Sequence, residues 1–188
     1  MSKNGPVYAN KVVGVEGGYS NSPADSGGET IFGVTAVVAR ANGYNGAMKD
    51  MTRGAALDIF SKQYFVQPMF DQIDDMIPSL GWPMFQLGIN MGSGTVGEFL
   101  QRSLNVLNYA DAKSPKPWHD LTIDGNTGAV TRLALAAFVK QRGKLAAPTI
   151  VGMVRALASV RYITLAEAAP KDEQFEYGWQ INRALEIS

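Results

Sequence analysis

A lone acid beside two glycines is the first feature in the chain that could do chemistry. Ala9, Val12, Val13 and Glu16 fall at i, i+3, i+4 and i+7, which puts Glu16 on the apolar face of a predicted helix. Gly17-Gly18 then reads as that helix's stop. A carboxyl on an apolar face is partly desolvated, and desolvation raises its pKa. A general acid for a glycosidic oxygen needs that rise near neutral pH. The run Glu16-Gly17-Gly18-Tyr19 leads through turn-forming residues to Asp25-Ser26-Gly27-Gly28-Glu29-Thr30. There Asp25 and Thr30 are the candidates to hold a water across a sugar from Glu16. One protonated carboxyl and one ionised partner make the usual glycosidase pair. Tyr19 is the best-placed ring for stacking on a sugar, and Gly28 and Glu29 complete the candidate substrate-binding set. Glu29 is also the rival second carboxylate, although its position suits a solvated loop acid. Taken singly, each of these residues reads equally well as part of a capped helix and an Asx turn.

Other chemistries lack their residues. The 188-residue chain has no cysteine and one histidine, His119. Thiol hydrolysis is excluded, and catalytic zinc, which commonly takes at least two histidines, is not expected. No Gly-x-Ser-x-Gly elbow is present, and His119 follows a proline-rich loop, Ser114-Pro115-Lys116-Pro117-Trp118. Asp74-Asp75 are adjacent acids that point apart, so no metal and no cofactor is expected. The longest apolar run, Leu145 to Val154, is ten residues long and contains Pro148 and Gly152. A bilayer span needs about 20 apolar residues, so no crossing is expected. The first residues carry no apolar signal core; synthesis in a bacterial cytoplasm and release by another route are the expectation.

The elements needed to position Glu16 are mostly helical. Ile31-Phe32-Gly33-Val34-Thr35 reads as a short strand within a small hairpin. Thr35 is placed to cap a helix over 36–41, and Thr52 starts a pattern with Ala55, Ala56, Ile59, Phe60 and Tyr64. Further helices are predicted over 83–91, 98–106, 129–142, 150–168 and 173–187. In the 129–142 helix, Val130, Leu133, Ala134, Ala137 and Phe138 form the expected apolar face. Residues 108–128 read as a long loop within one body or as the edge between two subdomains. The fold class is mainly α, with a small N-terminal β-hairpin lining a cleft. Net charge is zero overall, but residues 125–166 hold six bases and no acid: Arg132, Lys140, Arg142, Lys144, Arg155 and Arg161. Such a stretch suits an anionic membrane or wall surface, or equally a solvated helical face.

The motif Glu16-Gly17-Gly18-Tyr19, with Asp25-Ser26-Gly27-Gly28-Glu29-Thr30 and Phe32-Gly33-Val34-Thr35, resembles the signature of glycoside hydrolase family 108. These are phage and bacterial N-acetylmuramidases of the lysozyme superfamily. Eight residues separate Glu16 from Asp25 and four separate Asp25 from Thr30. That is similar to the Glu–Asp–Thr triad of phage lysozymes, whose second gap is one residue longer. Asn90-Met91-Gly92, Leu100-Gln101, Leu104-Asn105-Val106, Asp124-Gly125-Asn126-Thr127-Gly128-Ala129-Val130-Thr131, Arg161-Tyr162, Phe175, Gly178-Trp179 and Arg183 resemble the predicted peptidoglycan-binding region that follows such domains. Gln86 stands where an acid is common and Ala129 where proline is.

The resemblance implies an α+β lysozyme-like catalytic region over 1–92 and a wall-binding helical region over 93–188, packed either as one body or as two. It implies an endolysin acting as a monomer on bacterial peptidoglycan, at the β-1,4 bond between N-acetylmuramic acid and N-acetylglucosamine, with Glu16 as acid. Action in the periplasm after release is expected, and no nucleic-acid partner. Two rivals remain: a lytic transglycosylase working from the single acid, and a non-catalytic wall-binding or basic nucleic-acid-binding protein. The glycine-rich run after Glu16 argues against the second, since a binding module has no need of a lone acid there.

Overall fold

Threonine caps decide where the short N-terminal helices begin. In the computed structural model, which describes residues 2–13, 18–21, 28–109 and 115–187, Thr35 Oγ1 accepts from Val38 N at 3.3 Å and starts α2 (Ala36–Ala41). Thr52 Oγ1 accepts from Ala55 N at 3.2 Å and starts α3 (Arg53–Ser61). Each such cap is worth about 1 kcal/mol. Both lie in the first of two compact units, Met1–Asp71 and Gln72–Ser188.

In the first unit α1 (Gly5–Val12) packs on α3. Gly5 permits this approach, because a Cβ there would lie 2.1 Å from Ser61 Oγ. Tyr8 meets Phe65 edge to face at 5.4 Å, and Ala9, Val13, Ala56, Ile59 and Phe60 bury around them. The helix does not run to Gly17-Gly18 as the apolar spacing suggested. It ends at Val12: Val13 N still bonds Ala9 O, but Val13 is extended and its carbonyl accepts from Arg53 Nη2 at 3.3 Å. A hairpin forms, but Ile31–Thr35 is not the single strand expected: the chain turns at Phe32-Gly33, and β1 (Thr30–Ile31) pairs antiparallel with β2 (Val34–Thr35), Thr30 opposite Thr35 and Ile31 opposite Val34. Its two turn residues, Phe32 and Gly33, have φ of 52° and 78°. Positive φ at both central positions is the two-residue turn that matches strand twist.

After α4 (Phe70–Met76), the regular elements described in the second unit are all helices: α5 (Pro78–Met91), α6 (Ser93–Leu107), α7 (Ala129–Arg142), α8 (Ala146–Ala168) and α9 (Glu173–Trp179), the last continuing in a π turn over Gln180–Ala184. Helix α8 is central, packing on α5, α6, α7 and α9 through Ile150, Val154, Ala158, Tyr162 and Ala166, one buried stripe at four-residue spacing. By length and composition alone the stretch Ala129–Ala168 is apolar enough to cross a membrane, although no unbroken apolar run in it exceeds ten residues. Here it is two packed helices divided at Gly143, whose φ is 55°. The apolar face expected for α7 is shifted. Thr131, Ala134, Leu135 and Phe138 are buried, whereas Val130 and Leu133 are each 70% exposed.

Thr131 is inside because the loop before α7 is held by side-chain amides of α6. Gln101, 2% exposed, donates from Nε2 to Asp124 Oδ1 (2.7 Å), Asn126 O (3.0 Å) and Thr131 Oγ1 (3.3 Å). Its Oε1 accepts from the backbone N–H groups of Asp124 and Gly125. One helical turn on, Asn105 exchanges both hydrogen bonds with the Leu121 backbone. Asn108 then donates to Trp118 O and Asp120 Oδ1. Gly97 and Gly125 complete the fit, since a Cβ on Gly97 would lie 2.1 Å from Gly125 O. The Asp124–Thr131 motif is therefore a tight turn into a helix.

Candidate active site

The site begins with the backbone of the first unit. Ser20 and Thr30 exchange both backbone hydrogen bonds at 2.8 Å in an antiparallel bridge, which extends the hairpin by a third short segment. Glu29 O accepts from Ala36 N at 2.8 Å, tying the same segment to the start of α2. These contacts fix Tyr19, Glu29 and Thr30 on one scaffold. Glu16 and Asp25 lie outside the described residues, three positions before Tyr19 and three before Gly28.

Four candidate side chains or backbone positions are placed. The Tyr19 hydroxyl donates to Glu29 Oε1 at 2.6 Å. That bond to a carboxylate, with Glu29's charge and some desolvation, holds the phenol above its ordinary pKa. Tyr19 remains 44% exposed, so its ring face is open to a ligand. Thr30 Oγ1 donates to Gly28 O at 3.2 Å, and Gly28, at φ 65°, turns its carbonyl toward that hydroxyl. The Thr30 oxygen keeps its lone pairs as acceptors. The fold thus brings Tyr19 to Glu29 and Gly28 to Thr30. The Tyr19–Glu29 pairing was missed from sequence; the signal was their symmetric position on either side of the turn-rich run.

Beneath the hairpin a cavity of about 70 Å³ lies between Val34, Val38, Ile59, Phe60 and Tyr64. Burial pushes the Tyr64 phenol above its ordinary pKa. The cavity falls below the ~300 Å³ of an ordinary ligand pocket. No group of three or more Asp, Glu or His that could hold a metal occurs among the described residues. The chemistry available here is that of carboxyls, a hydroxyl and a phenol.

The hairpin presents one described carboxylate, Glu29, beside a phenol and a hydroxyl on a small helical body, a set of groups that suits glycoside hydrolysis. Residues 9–92 match the family model described as glycosyl hydrolase 108, and the match supports a glycoside hydrolase. Among solved structures, Brucella abortus SagA has the same fold, with a TM-score of 0.61 and 22% identity over 98% of this chain and 89% of that one. No curated protein matches the chain. The expected mainly α, lysozyme-like fold with a small antiparallel sheet is the fold observed.

Proposed function

We propose that this glycoside hydrolase cleaves peptidoglycan as an N-acetylmuramidase, at the β-1,4 bond between N-acetylmuramic acid and N-acetylglucosamine. The observation that carries the proposal is the family match over 9–92, which contains Glu16, Asp25 and the whole bridged hairpin. In this mechanism Glu16 protonates the leaving oxygen. Asp25 accepts a proton from a water whose other hydrogen points at Thr30 Oγ1, and that water attacks the anomeric carbon. Thr30 suits the task because its own proton is already engaged by Gly28 O, leaving the oxygen to accept. Tyr19 supplies a ring face to the sugar, while Glu29 holds the phenol and Gly28 leaves room beside it. Neither a metal nor a cofactor enters any step.

The wall is also the place of action in this proposal. The enzyme reaches the periplasm after release and works there as a monomer, with residues 93–188 gripping the wall or an anionic surface. The exposed bases Lys140, Arg142, Lys144 and Arg161 support that grip. Arg155 and Arg132 contribute less, being tied to Glu186 and to Thr127 O. Mass spectrometry of digested peptidoglycan is the test. Reducing-end N-acetylmuramic acid is expected, whereas a 1,6-anhydro product would identify a transglycosylase and intact glycan strands would end the proposal.

A further inference from the structure

Helix α8 buries one stripe, and its opposite side lacks the charges that the outside of a helix normally carries. Ile150, Val154, Ala158, Tyr162 and Ala166 face the core. On the other side Pro148, Gly152, Ala156, Val160 and Thr164 form an exposed row at four-residue spacing, with no charged member. A surface helix ordinarily puts charged and polar residues there. The row runs from Pro148 to Thr164, about 24 Å of helix. Of the most apolar window in Ala129–Ala168 only 28% is buried, so packing in the core does not account for its composition.

The row belongs to a wider apolar surface. Beside it Met153, Ala156 and Leu157 of α8 and Arg102 and Val106 of α6 line an open groove of about 250 Å³. Val106 is 73% exposed and Val160 58%. A contiguous apolar surface edged by polar groups marks an interaction site. The exposed positions of α6 run Glu98, Arg102, Val106, and of the two charged ones only Arg102 lines the groove. An apolar groove with a guanidinium at its edge matches an amphiphile that has a hydrocarbon body and an anionic head. The arginine stem lies on apolar surface while its head reaches a phosphate.

Charge decides between the two occupants that such a face suits. A second copy meeting it about a twofold axis would bring together two acid-free stretches, residues 125–166 of each chain, with six bases apiece. A bilayer containing anionic lipid answers both the charge and the apolarity. The helix lies on such a surface and does not span it, because its Ile150–Ala166 stripe packs on α5, α6, α7 and α9. We propose that the outer face of α6 and α8 docks on an anionic lipid bilayer. Val106, Met153, Leu157 and Val160 enter the boundary between headgroups and acyl chains, and Arg102 and Arg161 bind lipid phosphate. Vesicles hold no wall polymer, so this proposal is tested apart from the hydrolytic one.

The chain has no cysteine, so Val160→Cys in the full chain carries a single environment-sensitive fluorophore. With vesicles of phosphatidylcholine and phosphatidylglycerol in equal parts, its emission should shift to the blue and saturate. Phosphatidylcholine alone should need at least about tenfold more lipid, since each base near an anionic surface adds to the attraction. The same label on Val37→Cys, at a position 76% exposed in the first unit, should not shift. In sedimentation with the anionic vesicles, Val106→Ser combined with Val160→Ser should raise the lipid midpoint about tenfold through lost apolar burial. Circular dichroism should not change, because both side chains already lie outside the core. Arg102→Gln should raise the midpoint severalfold on anionic vesicles and leave it unaltered on phosphatidylcholine. A silent label at position 160 overturns the proposal, and so does an equal shift at position 37. A double variant that binds like its parent leaves the exposed bases as the whole attachment and overturns the apolar docking. Dimerisation without lipid that Val160→Ser abolishes, seen by analytical ultracentrifugation, gives the face to a second copy instead.

Discussion

The turn at Gly28–Thr30 and the turn at Asp124–Thr131 are made of the same residue types, glycines with an acid and a threonine, and their polar groups are used in opposite ways. In the second unit Asp124 Oδ1 accepts from Gln101 Nε2 and from Asn126 N. The Gln101 bond first, then the backbone, holds its carboxyl below the ordinary aspartate range. Thr131 donates to Asn126 O while accepting from Gln101. In the first unit, among the described residues, the Glu29 carboxylate accepts from Tyr19 and Thr30 donates its proton to Gly28 O. An acid and a hydroxyl filled by their own chain hold a loop. Those with acceptor positions still facing outward remain available to a substrate and a water.

The comparison breaks most sharply at Glu16 and Asp25. Glu16→Gln should keep the fold, judged by circular dichroism, and lose at least about 10²-fold in peptidoglycan turnover, since an amide fits the space but carries no acidic proton. A folded variant that clears walls at the normal rate removes the central assignment. Asp25→Asn should lose roughly 10²–10⁴-fold, the usual range for general-base assistance. No comparable loss per folded molecule is expected for any change at Asp124.

What the sequence made legible was local. A small hairpin, the Thr35 cap, the helical start at Thr52 and the bounds of α2 follow from neighbouring residues and are found, although the strand expected over Ile31–Thr35 is split by the turn. What it concealed depended on distant partners. Helix α1 ends early where Val13 meets Arg53, forty positions on. Helix α7 turns its Thr131 inward because Gln101 waits there, so the apolar period was right and its phase was not. Gln101, Asn105 and Asn108 are polar residues at i, i+4 and i+7, a pattern that reads as a solvated face. In the fold they clamp the loop 115–128, which no short-range signal reveals. For the site itself, residue types and spacing indicated Tyr19, Gly28, Glu29 and Thr30 as a group, but not which of them bond each other.

If the Asp124 turn is structural, damage there should appear in stability. Gln101→Leu strands the Asp124 and Gly125 N–H groups and unties Asp124 and Asn126. Each unsatisfied buried group costs about 1–3 kcal/mol, and with partial rescue by water a total loss of roughly 2–4 kcal/mol is expected in urea unfolding. An unchanged midpoint would show the amide to be dispensable. The Asp124 carboxyl has a depressed pKa in the folded state, so its contribution is complete above the unfolded aspartate value of about 3.9. It is lost as the pH falls from there through the folded value. Asp120, lowered by Lys116 and then Asn108, adds in the same direction. Asp124→Asn should flatten the acid side of the stability profile; an identical profile would mean the hydrogen bonds do not distinguish the charged form.

A smaller effect is expected at the basic surface. Contacts between exposed charges are screened over about 8–10 Å at 0.1–0.15 M salt, so binding of the full chain to purified walls should weaken as salt rises. Reversing Lys140, Arg142 and Lys144 together should weaken it further, by severalfold, and should reduce the salt dependence. Binding indifferent to salt in both proteins would leave these residues as a solvated face, and the grip would then have to come from uncharged contacts.

The smallest effects should come from the Tyr19–Glu29 pair, and they decide which acid partners Glu16. Glu29→Gln keeps a carbonyl oxygen where the Tyr19 hydroxyl donates, so the phenol stays in place and only the charge is lost. Tyr19→Phe keeps the ring face and loses the hydrogen bond, and an intramolecular bond of this kind contributes a net of about 0.5–1.5 kcal/mol. Each variant should therefore change kcat/KM by less than about tenfold, since tenfold corresponds to 1.36 kcal/mol. The loss in Tyr19→Phe should fall on KM, because a ring that positions the sugar acts before the bond breaks. Turnover of a defined peptidoglycan fragment measures both. A 10²-fold or larger fall in kcat for Glu29→Gln, beside a near-normal Asp25→Asn, would transfer the water-activating role to Glu29. Near-normal rates in both acids would instead leave Glu16 alone at the site and favour the transglycosylase reaction, which needs no activated water.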